Sequence, residues 1–135
     1  MNGRFPIAVH ILTMLSKAEG ELLSSDHIAG SININPALAR KEISNLRKRG
    51  LIISKEGKSG GYSLGKPAQK ITLADVYEAV MERPVLGLAK NTPNPDCPVG
   101  KQVNQNIDSL YAELDKTLLK KLSSISLADF SNKFD

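Results

Sequence analysis

The stretch NINPALARKEISNLRKRGLI, residues 33–52, carries five basic side chains, Arg40, Lys41, Arg47, Lys48 and Arg49, against one carboxylate, Glu42. Guanidinium and ammonium groups at this density do their chemistry on polyanions. Arg pairs bidentately with phosphate or with the edge of guanine, and Lys acts as a point charge. The excess continues downstream: from Arg40 to Lys70 there are nine basic residues, the others being Lys55, Lys58, Lys66 and Lys70, and two acidic ones, Glu42 and Glu56. That segment is +7 in a chain of net charge +4, so the remainder is slightly acidic. A basic patch on such a background points to a polyanionic partner.

Other residues able to do chemistry are few. Cys97 is the one cysteine of the 135 residues, which excludes an intrachain disulfide and any all-cysteine metal site within one chain. It stands between Asp96 and Pro98 as a candidate redox or signal site, weighed against an inert residue. His10 and His27 show no metal-ligand spacing with it. A Cys–His hydrolase would need its nucleophile, base and orienting group drawn from distant positions, and no pattern supports one, so no enzymatic activity is expected. No apolar run approaches the roughly 20 residues of a membrane helix, and a cytoplasmic protein without a membrane partner is expected.

The elements that must hold these residues follow from pattern. Phe5, Ala8, Ile11, Leu12 and Leu15 recur at helical spacing over 4–17, with Pro6 in the first turn. Ser24 or Ser25 caps a short second helix ending near Ala29, and residues 30–34 form a tight turn. Asn35 as N-cap and Pro36 as first residue open a third helix to Arg49, stopped by Gly50. Ala39, Ile43 and Leu46 form its apolar stripe, and Ala37, Arg40, Lys41, Ser44, Arg47 and Lys48 its opposite surface. Residues 51–55 and 62–64 are strand-like around the loop GKSGG. Thr72 caps a helix over TLADVYEAVMER, with Val76, Ala79 and Val80 inward and Pro84 ending it. A loop over 85–98 contains NTPNPDCP. A long helix from Pro98 to about Ser123 then carries Val103, Ile107, Leu110, Leu114 and Leu118, with Leu122 continuing the stripe. That seam is longer than a one-domain core needs and reads as a dimer interface. Ser126 caps a short last helix.

Two helices joined by a tight turn and followed by a hairpin form the winged helix-turn-helix pattern, in which the second of the pair lies in the DNA major groove. The fold class expected is therefore mainly α with a small β-hairpin wing, plus a long C-terminal dimerisation helix. The division expected is 1–82 for the DNA-binding part, 83–98 for a loop and 99–135 for a helical dimerisation region. Asn35, Ala37, Arg40, Lys41, Ser44, Arg47 and Lys48 would meet DNA from the helix, and Lys55, Lys58, Ser59 and Gly60 from the wing. Arg40, Lys41 and Ser44 suit base edges; Arg47, Lys48 and Arg49 suit phosphates. Tyr62 reads as packing beneath the wing.

GRFPIAVHIL at the start, LRKRGLI at the end of the third helix and GGYSLGKPAQKITLADVYEAV after the wing resemble the IscR/NsrR/CymR-type (Rrf-two) family of bacterial winged helix-turn-helix transcriptional regulators. The resemblance covers nearly the whole chain. It implies a homodimer held by the long helix, two recognition helices about 34 Å apart on a palindromic operator, and by family tendency a repressor. Several members bind an iron–sulfur cluster through three cysteines in the loop before the long helix. Only Cys97 is present here, at the last of those positions, and one thiolate does not meet a need of about four ligands. No cofactor and no metal are expected. Many relatives also carry Arg just before the first wing glycine where this chain has Glu56, which puts family-like minor-groove contact in question.

The function expected is thus sequence-specific DNA-binding transcriptional regulation in response to an unidentified small-molecule or redox effector. A winged-helix protein-interaction module that does not touch DNA is the alternative. Operator, regulated genes and effector are not written in the sequence.

Overall fold

The computed structural model describes residues 3–81 and 85–134. Helices α1 (Arg4–Lys17), α2 (Ser25–Ile32) and α3 (Pro36–Lys48) are followed by strands β1 (Ile52–Lys55) and β2 (Gly61–Leu64). A 3-10 turn (Ala68–Lys70) then leads to α4 (Leu73–Val80), α5 (Pro98–Ser123) and α6 (Leu127–Ser131). The architecture is mainly helical with a two-stranded antiparallel hairpin, the winged-helix arrangement expected from the pattern.

α1 buries Ala8, Val9, Ile11, Leu12 and Leu15 and forms the centre of the core, with Ile28, Ile43, Leu46, Leu51, Ile52, Ile71 and Val76 around it. Pro6 costs α1 nothing, because the first-turn N–H groups have no intrahelical partner anyway. Ser24 caps α2 by accepting from His27 N at 3.1 Å. α2 runs through Gly30 to Ile32, three residues beyond the expected stop. The half-buried Ile32, packed against the core, outweighs the modest helix cost of glycine. The turn is correspondingly tighter. Asn33 alone takes the left-handed conformation, φ 62°, and Ile34 N reaches back to Ala29 O.

In the hairpin, Ile52 pairs with Leu64, Ile53 with Ser63, Ser54 with Tyr62 and Lys55 with Gly61. A third segment joins on the far side of β2: Leu23 and Tyr62 exchange both backbone hydrogen bonds, at 3.0 and 2.8 Å. A side chain at Gly61 would collide with Leu23 O, and one at Gly65 with Gly50 O. α4 starts with a full capping box between Thr72 and Asp75, 3.1 and 2.9 Å. It is shorter than the pattern suggested, since Met81 already has extended backbone. The stop expected at Pro84 lies outside the described residues.

α5 lies against α4 through one face, where Tyr111, Asp115, Leu119 and Leu122 are half-buried. Tyr77 Oη on α4 donates to Asp115 Oδ1 at 3.4 Å. Leu122, placed on the outward stripe by the sequence pattern, packs against the core instead. The chain then returns to the body. Leu73 N donates to Ile125 O, Leu127 N donates to Ile71 O, and Leu127 is fully buried in the core.

Candidate nucleic-acid interface

α3 is the element that sets the interface. Asn35 Oδ1 accepts from Ala37 N at 2.7 Å, so the helix begins where its N-cap amide fixes it. Pro36 supplies the φ a first turn requires. Ala39, Ile43 and Leu46 are buried, which turns the other side of the helix to solvent. Ala37, Arg40, Lys41, Arg47 and Lys48 are exposed there, and Ser44 is half-buried. Gly50, at φ 76°, ends the helix and turns the chain into β1. His10 Nε2 and Ser31 Oγ lie 3.3 Å apart, tying α1 to α2.

The candidate residues are not equivalent. Asn35's side chain is engaged in capping. Arg47 Nη1 donates to Ser54 Oγ at 3.0 Å, joining α3 to the wing. Arg40, Lys41 and Lys48 make no ion pair among the described residues, whose two ion pairs are Arg4–Glu42 and Lys66–Asp75. Lys55, Lys58 and Ser59 are exposed on the wing beside α3. Gly60 has a geometric duty: a Cβ there would meet Lys55 O and Gly57 O across the turn. Glu56 is exposed and pairs with neither Lys55 nor Lys58. Tyr62 is half-buried and packs against the core from under the wing.

Sequence reasoning missed two features of α3. Leu38, 40% exposed, adds an apolar side chain near the helix start. Glu42 belongs to the buried face, 1% exposed, and takes Arg4 Nε on both carboxylate oxygens at 3.0 and 3.2 Å. The signal was there: 39, 42, 43 and 46 fall on one helical face, and position 42 was read only as a charge.

Ile107, Leu110, Leu114 and Leu118 form an exposed row on α5, about a quarter turn round the helix from the half-buried face, and Val103 is half-buried at its upper end. α5 contributes no fully buried residue to this chain's own core. The 85–88 segment lies along α5, fixed by Tyr111 Oη donating to Gly87 O at 2.8 Å. Between them is a groove of about 560 Å³ lined by Leu86, Leu88, Leu114 and Leu118. Cys97 is the N-cap of α5, exposed and making no capping hydrogen bond through its side chain.

The sequence matches the family model Rrf2, described as "Iron-dependent Transcriptional regulator", over residues 1–133. It is 37% identical over 132 residues to YwnA of Bacillus subtilis (strain 168), assigned as an HTH-type transcriptional regulator, covering 98% of this chain and 97% of that one. Among solved structures it resembles one described as a DNA-binding protein, with TM-score 0.75, 34% identity and coverage of 95% and 98% of the two chains. It also resembles CymR (YrzC), the global cysteine regulator of B. subtilis, with TM-score 0.73, 25% identity and coverage of 100% and 98%. These relatives are transcriptional regulators or DNA-binding proteins rather than enzymes.

The iron in the family description does not suit this donor set. The chain has one thiol, and no group of three or more His, Cys, Asp or Glu side chains able to hold a metal occurs among the described residues. A cluster ordinarily takes four protein ligands, mostly thiolates, and even two copies of this chain would bring only two cysteines. The family match over almost the entire length, the relative sharing more than a third of its residues and the common winged-helix architecture agree: the chain belongs to the Rrf2 family of transcriptional regulators.

Proposed function

We propose that this chain is a sequence-specific DNA-binding regulator acting as a homodimeric repressor on a palindromic operator. The observation that carries the reading is α3 itself, held by the core along Ala39, Ile43 and Leu46 and turning Ala37, Arg40, Lys41 and Lys48 outward beside a basic hairpin. In the major groove the N-terminal residues of such a helix lie nearest the base edges. Arg40 and Lys41 then read bases together with Ser44, while Lys48 and the wing's Lys55, Lys58 and Ser59 bind the backbone. Arg47, tied to Ser54 of the wing, reaches phosphate from the end of α3. The solved structure described as a DNA-binding protein and the regulators of the family support the same partner.

The exposed row on α5 supports pairing of two copies through residues 99–135, with 1–82 reading DNA and 83–98 between them. An apolar helix face of four residues left in solvent is what a second copy would cover. The effector would act at the 85–98 loop or at that interface, changing the separation of the two reading helices; Cys97 is the candidate for a redox signal.

The test is binding of the purified protein to fragmented genomic DNA, with recovered fragments sequenced and affinity followed from low to high salt. A shared palindrome whose binding is lost in Arg40→Ala/Lys41→Ala supports the regulator. No binding at any salt returns the protein-interaction module to consideration.

A further inference from the structure

Resting on the DNA-binding reading, we propose that Arg4 and Glu42 are positioning residues for operator recognition, holding α3 at the azimuth and height from which Arg40 and Lys41 meet their bases. Glu42 projects from the core side of α3, where a carboxylate is expensive to bury unless paired. Its pairing is thorough. Arg4 Nε, at the first turn of α1, lies 3.0 and 3.2 Å from its two oxygens, and Asn45 Nδ2, one turn along α3, donates to Oε1 at 3.2 Å. Arg4 itself is partly exposed, 27% by side chain.

Stability alone does not call for this arrangement. Two apolar side chains of similar volume generally serve a core at least as well as a buried ion pair. What the pair adds is direction. Ala39, Ile43 and Leu46 bury area, and area burial is indifferent to a small slide or roll of one helix on another. Hydrogen bonds to a charged acceptor weaken steeply with misalignment, so they resist both motions. Base reading requires that resistance, because recognition constellations tolerate only about 0.5 Å and 10–20° of displacement. The pair links α1, the central helix of the core, to α3 two residues from Arg40 and one from Lys41.

The experiment uses the operator recovered from genomic DNA and an unrelated duplex of equal length. Affinity for both, the salt slope and the melting temperature are measured for the full chain, for Arg4→Met/Glu42→Leu and for Glu42→Gln. The double variant keeps volume and removes the charges. Its operator affinity is expected to fall about tenfold, equivalent to roughly one lost base contact, while melting, unrelated-duplex affinity and salt slope stay as in the parent. Glu42→Gln, which keeps the shape and the Asn45 contact, is expected to lose part of the same ratio. If a folded double variant keeps the parent's operator-to-unrelated ratio, the pair is structural only and the inference is overturned. Should the double variant not fold, the ratio for Glu42→Gln decides in the same way. A parent chain that enriches no operator refutes the DNA-binding reading itself, a result separate from an unchanged ratio.

Discussion

Arg40, Lys41, Arg47 and Lys48 stand within three turns of one helix, yet their surroundings differ, and under the proposed function so does their expected work. Arg40 lies near the start of α3, exposed and in no ion pair among the described residues, where a fork of donors can meet the O6 and N7 of guanine. Arg40→Ala is expected to cost about 1–3 kcal/mol and to relax preference at a single base pair, which affinities for operators changed at each position would reveal. Lys48 sits a full two turns further on. Its replacement by Ala should weaken binding to every duplex alike and reduce the salt slope by about 1. Asn35 was read as a DNA contact and is at the least a cap, with its Oδ1 on Ala37 N. Asn35→Ala should destabilise the protein by about 1 kcal/mol, measured by denaturant unfolding, because the helix that carries the reading residues loses its anchor.

Elements were legible where local chemistry decides them and opaque where distant chain does. The limits of α3 and α5 follow from Asn35-Pro36, Gly50 and Pro98, residues whose backbone preferences act on the spot. α2 outran its expected end because Ile32 had a core to reach, and no signal within residues 25–32 announces that core. The same holds for Leu23 on Tyr62, Arg47 on Ser54 and Arg4 on Glu42. Each joins segments whose adjacency exists only after folding. In α5 the sequence showed one stripe, whereas the molecule has two faces. Tyr111, Asp115, Leu119 and Leu122 are half-buried, and Ile107, Leu110, Leu114 and Leu118 form an exposed row beside them. Leu110→Asp/Leu114→Asp is therefore expected to leave helicity and melting largely intact while converting a dimer to a monomer. Light scattering after gel filtration, with circular dichroism alongside, distinguishes this from unfolding.

On the scale of the whole molecule, the core is closed by a segment far from its beginning. Ile71 and Leu73 exchange backbone hydrogen bonds with Leu127 and Ile125, and Leu127 is buried against α1 and its neighbours. Leu127→Ala should cost about 2–5 kcal/mol, as large-to-small changes in a full core do, with the loss read from denaturant titration. A fragment of residues 1–82 lacks this closure and should bind and melt less cooperatively than the full chain. There is a consequence for how the protein is made. Many domains condense as soon as they leave the ribosome. Here the basic helix emerges long before the residue that seals the core beneath it. Until Leu127 has followed, the core beneath the cationic helix is unsealed while the chain is still beside the RNA-rich surface from which it is growing. Sealing the core is thus a late event in this protein's synthesis, and the interval before it is when the chain is most open to the wrong polyanion.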